Sequence, residues 1–124
     1  MEIADTSFLY ALLSKSDTFH RRALAAARFV NRILVPNEIF AETVSLIRFR
    51  IGFSGAQAAG NWLRSQEGML VRPTTPPVSD HAWTVFQEGR GRLSYPDAVV
   101  VAWCQARRAK PLTFDRAILR KARR

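Results

Sequence analysis

The closing stretch KPLTFDRAILRKARR (110–124) sets an apolar, strand-like run, Leu112 to Phe114, directly before a carboxylate, Asp115, and a basic helix. The opening stretch MEIADTSFLYALL (1–13) repeats the arrangement, with Ile3 and Ala4 leading into Asp5, Thr6, Ser7 and an apolar helix. Taken alone, each Asp reads as an N-cap, its side chain accepting a hydrogen bond from an orphan N–H of the first helical turn. Taken together, the two strand-to-Asp-to-helix handovers set the fold class. Strands apolar throughout are buried on both faces, which in an alternating chain means a parallel sheet covered by helices, an α/β sandwich.

The middle of the chain supplies the rest of the alternation. The spacing predicts helices over Thr6–Ser14 and about Thr18–Val30, the latter with Phe19, Leu24, Ala27 and Phe29 inward. Ile33-Leu34-Val35 reads as a buried strand stopped by Pro36, with Asn37 capping a helix over Glu38–Ile51. Ser54 opens a helix to about Gln66, Met69–Arg72 forms a third strand, and Pro76 and Pro77 break it before a helix over Val78–Glu88. GRGR (89–92) is a basic loop; Ser94 then caps a helix that runs to about Ala109. Four strands result.

Bulk composition narrows the function. The chain has 124 residues, 48% of them hydrophobic, enough for one core and little more, so a single domain over 1–124 is expected. Its longest apolar run, Ala98 to Cys104, is far short of a membrane span. Glu2 and Asp5 stand where a secretory signal carries positive charge, so a cytoplasmic location is expected. Lys and Arg number 19 against 10 acids, a net charge of +9, which favours a polyanionic partner; the bland alternative is a solvated surface that merely happens to be Arg-rich. The single Cys104 reads as a buried structural thiol, and with only two His there is no zinc ligand set.

The fold then predicts where the acids go. In a parallel α/β sheet, strand carboxyl ends and the helix N-termini that follow them share one edge, where ligands bind. Asp5 and Asp115 end strands, Asp97 lies in the first turn of its helix, and Glu42 sits on the helix after the second strand. Glu42 shares a helical face with Ile39, Leu46 and Phe49, and Asp97 with Val100, Val101 and Cys104, so both carboxylates are expected to turn inward, where a positive charge should meet them. Singly, each acid has a structural reading as cap or ion-pair partner. Jointly, four carboxylates at one point repel unless a divalent cation lies among them, and Mg²⁺ or Mn²⁺ takes such oxygen ligands. A carboxylate-held metal on a basic protein points to phosphodiester hydrolysis, the cation polarising a phosphoryl oxygen and acidifying a bound water.

At these residues the chain resembles PIN-domain ribonucleases of the VapC toxin type, through ADTSFLYALL, DTFHRRA, ILVPNEIFAETVSLI and LSYPDAVVVAWCQARRAKPLTFDRA. The resemblance implies a PIN-like three-layer α/β/α sandwich around a parallel sheet of four strands, with a fifth at the edge left open because the chain stops at Arg124. It implies a metal site of Asp5, Glu42, Asp97 and Asp115, with supporting hydroxyls on Thr6 and Thr113. It further implies Mg²⁺-dependent RNA cleavage (Mn²⁺ substituting), a homodimer, and a cognate antitoxin. Arg90 and Arg92, in the loop before Asp97, are candidate phosphate contacts. Arg120 and Lys121 in the tail are either RNA contacts or cations favourably placed at a helix C-terminus. Three rivals remain. A binding-only domain would use the basic surface while the acids merely cap helices. A phosphoacceptor receiver needs a strand-end lysine that this chain does not supply, Lys110 preceding Pro111, and a haloacid-dehalogenase-like phosphatase needs an Asp where Ser7 stands.

Overall fold

The computed structural model describes residues 1–123. The elements run β1 (Glu2–Ala4), α1 (Thr6–Leu13), α2 (His20–Arg28), β2 (Ile33–Pro36), α3 (Asn37–Arg50), α4 (Phe53–Ser65), β3 (Met69–Arg72), α5 (Pro76–Gly89), α6 (Tyr95–Arg107), β4 (Pro111–Leu112) and α7 (Arg116–Ala122). The four strands form one parallel sheet in the order β3-β2-β1-β4, flanked by the helices as a three-layer α/β/α sandwich. Ile3 pairs with Leu34 on one side and Pro111 on the other.

This order places a topological switch point beside β1. The chain leaves β1 toward β2 and β3, then returns through α5 and α6 to add β4 on the opposite side. Connections therefore diverge between β1 and β4, opening a crevice at their carboxyl ends. Asp5 follows one of these strands and Asp115 closely follows the other.

The main core draws on every strand, with Ile3, Leu34, Val35 and Leu112 packed against Phe8, Leu9, Leu63 and Ile118. Helix α6 is its centre. Every residue from Ala98 to Cys104 is buried, which is why the apolar run carries no amphipathic period. Among the described residues no helix is long and apolar enough to cross a membrane.

Several local expectations change. β4 ends at Leu112 rather than Phe114, because the next backbone N–H groups bond to side chains: Phe114 N–H donates to Ser7 Oγ and Asp115 N–H to Thr113 Oγ1. α2 starts at His20, after a turn in which Asp17 accepts from Phe19 N–H, and it buries only Ala23 fully. Leu24 and Phe29 stand 40% and 89% exposed instead of facing inward. Asn37 is the first helical residue, not a cap, following Pro36. Gly52, at φ 117°, precedes α4 in place of Ser54, and Pro76 and Pro77 open α5 rather than separating it from the strand, as suits a residue without an N–H at a helix start. On α3 the inward stripe is Ile39, Thr43 and Ile47, while Phe49 is 84% exposed. Among the described residues no fifth strand follows β4.

Candidate active site

Asp5 anchors the carboxyl edge. Its N–H donates to Leu112 O at 3.1 Å, tying the ends of β1 and β4 together. Its side chain caps α1 by accepting from Phe8 N–H at 2.8 Å, as the sequence suggests, but the carboxylate is only 2% exposed and holds more than a cap. It also accepts from the Ser7 hydroxyl at 2.9 and 3.0 Å and from the Thr113 hydroxyl. Burial pushes its carboxyl up from 3.8 to about 6; the Thr113, Phe8 and Ser7 hydrogen bonds oppose this, and the Asp97 charge adds to it.

Two hydroxyls knit the two handovers. Thr113 Oγ1 accepts from Asp115 N–H at 2.9 Å while donating to Asp5, and Ser7 Oγ accepts from Phe114 N–H at 3.0 Å. Asp115 then caps α7 by accepting from Ala117 N–H at 2.8 Å. From α3, half-buried Glu42 accepts the Thr6 hydroxyl. Asp97 enters from α6, whose N-cap Ser94 accepts its N–H at 3.2 Å. Burial raises the Asp97 carboxyl, the Ser94 hydrogen bond opposes this, and the charges of Asp115 and Glu42 raise it further. Other carboxylates thus add to the raised proton affinity of both Asp5 and Asp97.

Such a donor set, all carboxylate and hydroxyl oxygen, suits a hard divalent cation. Among the described residues no three acidic, His or Cys side chains stand close enough to enclose an ion by themselves. Mg²⁺ does not require that. It dehydrates reluctantly and is held directly by one or two carboxylates with water filling its octahedron, so this looser array fits it, and Mn²⁺ takes similar ligands.

Beside the acids lies an open cleft of about 590 Å³, lined by Thr6, Ser7, Tyr10, Glu42, Arg50 and Asp115 with Asp17, Phe19, Leu46 and Phe114. Arg50 and Arg22 are the cations that sequence reasoning missed here. Arg50 lines the cleft with its guanidinium 5.0 Å from the Tyr10 ring, and Arg22 flanks Phe19 and Phe114 at 5.2 and 5.3 Å. The signal for Arg50 was present, since Glu42, Leu46 and Arg50 recur every four residues along one helical face. Arg90, Arg92, Arg120 and Lys121 do not line this cleft. Arg90 instead closes α5 as a left-handed C-cap at φ 47°, and Lys121 offers its carbonyl to Gln105.

Bystanders take structural places. His20 Nδ1 bonds Ala11 O at 2.7 Å, His81 Nε2 meets Gln105 Oε1 at 2.6 Å, and Glu38 accepts from Thr74 at 2.7 Å. The buried Cys104 thiol is pushed up to about 12 by burial, then by the Asp5 and Glu2 charges.

The family model for the PIN domain matches residues 3–124. The chain belongs to the PIN domain family. Its fold is shared with Mycobacterium tuberculosis VapC20, described as a sarcin-ricin loop cleaving toxin, at TM-score 0.83 and 24% identity over 95% of this chain and 92% of that one. FitAcB from Neisseria gonorrhoeae matches at TM-score 0.72 and 14% identity, covering 99% and 94% of the two chains. VapBC2 from Rickettsia felis, solved with a promoter DNA fragment, matches at TM-score 0.71 and 12% identity, covering 96% and 91%. No curated protein sequence matches this PIN domain.

Proposed function

We propose that this PIN domain is a metal-dependent endoribonuclease that hydrolyses RNA phosphodiester bonds as the toxin of a toxin–antitoxin pair. The observation that carries the reading is the carboxyl edge: buried Asp5 and half-buried Asp97 both have raised proton affinity, in part because further carboxylates act on them. A site that stabilises a fold does not gather like charges out of water; one that awaits a cation does.

Asp5, Asp97, Asp115 and Glu42 would hold Mg²⁺, with Mn²⁺ able to replace it. Bound there, the ion supplies Lewis-acid polarisation of a phosphoryl oxygen and a more acidic water. The chain's own groups do the positioning. Ser7 and Thr113 fix the Asp5 oxygens, Thr6 fixes Glu42, and Arg50 in the adjoining cleft meets the phosphate of the approaching strand. The structural likeness to a toxin described as cleaving the sarcin-ricin loop supports RNA as substrate.

Incubation of purified protein with a pool of cellular RNAs tests this. Cleavage is expected with Mg²⁺, and none with excess chelator. A second reading, a catalytically inactive basic RNA-binding domain, draws on the acids standing too far apart to enclose an ion by themselves. RNA that is bound but uncut with either Mg²⁺ or Mn²⁺ would select it.

An antitoxin partner accords with the +9 charge and with the exposed Phe49, Ile51 and Phe53, an apolar surface for a protein to cover. Co-purification from the native operon would reveal it, and recovery of active protein alone would count against it. A homodimer in the cytoplasm completes the proposal; light scattering at micromolar concentration should give twice the 14.0 kDa chain mass, and the monomer mass would contradict it.

A further inference from the structure

Three rings run from the core to the cleft. Buried Phe8 lies 6.3 Å from Phe114, and Phe114 lies 4.6 Å from Phe19 with the planes only 12° apart. Phe19 ends the stack at 37% exposure, lining the same cleft as Phe114, Asp115 and Glu42. The two rings that line the cleft are tied through their backbones: Phe114 N–H donates to Ser7 Oγ, and Phe19 N–H to Asp17. Burial against Phe114 accounts for most of the Phe19 ring, and its exposed remainder borders the cleft.

Resting on the ribonuclease reading above, we infer that Phe19 is the base-stacking platform of the cleft. It receives the face of an unpaired nucleobase adjacent to the scissile phosphate, with Arg22 and Arg50 neutralising the flanking phosphates. The chemistry is complementary at each point. An aromatic face accepts any base without hydrogen-bond readout, and guanidinium groups within about 5 Å of aromatic rings leave their N–H edges for phosphate oxygens. Stacking requires an unstacked base, so single-stranded loops or ends are the substrate class.

The test uses the cleavage-impaired Asp97→Asn protein, to keep RNA intact. Its binding to a labelled, mixed-sequence single-stranded RNA is measured by fluorescence anisotropy, beside the same ribose-phosphate strand made abasic. Phe19→Leu, which keeps apolar bulk but removes the ring, should weaken binding of the base-bearing RNA by about five- to 150-fold and leave the abasic strand unchanged. Phe19→Tyr should restore most of the loss. Equal weakening of both strands would make Phe19 merely structural and overturn the proposal, as would no weakening of either. Loss of a co-expressed protein partner with RNA binding intact would assign the stack to protein docking instead. If the Asp97→Asn protein binds neither strand, the RNA reading itself fails, an outcome distinct from all of these.

Discussion

Asp5→Asn should make the metal-free protein more stable at neutral pH while ending its proposed activity. The Asp5 carboxyl stands at about 6 in the folded chain against an ordinary 3.8, because its burial disfavours the charged form. Between these values the unfolded chain loses this proton while the folded one keeps it, so stability falls as pH rises from about 4 to 6 and then levels off. At about 1.4 kcal/mol per pH unit the penalty amounts to about 3 kcal/mol above pH 6. An amide escapes it and can still accept from Phe8 N–H. Urea denaturation of both proteins in chelator, from pH 4 to 8, isolates the effect as a difference, since all other groups are common to both. The variant's advantage should grow by about 2 kcal/mol between pH 4 and pH 7, the rest of the penalty being present already at pH 4. A difference that does not change with pH, or a variant that loses ground as pH rises, would refute the reasoning.

Three further outcomes follow from the same geometry. Mg²⁺ at millimolar concentration should raise the melting temperature of the wild type and do so much less for Asp97→Asn, because binding to the folded state alone stabilises it; scanning fluorimetry reads this. Ser94→Ala removes the acceptor for Asp97 N–H and should cost about 1 kcal/mol by urea titration. Gly68→Ala should cost at least about 1–3 kcal/mol by the same titration, because the residue sits at φ +87° and an added Cβ would meet Asn31 O at 2.7 Å.

Much of this was legible from residue type and spacing. The strand-to-Asp handovers at both ends pointed to the parallel sheet, because burial on both faces leaves a compositional mark that needs no tertiary knowledge. The caps on α1, α6 and α7 were equally local: Asp5, Ser94 and Asp115 each bond an N–H two or three residues on. What was not legible depended on contacts distant in sequence. Ser7 joins Asp5 to Phe114 across 107 residues, and Thr113 reaches Asp5 across 108, so no window of sequence shows either bond. The sidedness of α2 was misread because its apolar residues outnumber its buried positions: a helix at the rim buries only Ala23 fully and leaves Phe29 in solvent. Arg22 and Arg50 are brought beside the cleft by α2 and α3, a placement that their distance in sequence from Asp97 does not show.

The most direct measurement is single-turnover cleavage of one defined RNA, taken from the cellular pool as cut, by wild type and by a folded Asp97→Asn protein across a Mg²⁺ titration, with the product ends mapped. Hydrolysis by a water at the acid edge predicts a rate that rises with Mg²⁺, falls at least about 100-fold in the variant, and leaves no 2′,3′-cyclic phosphate. Cleavage that survives chelator or Asp97→Asn, or products ending in a cyclic phosphate, would contradict a metal-dependent hydrolase built on these carboxylates.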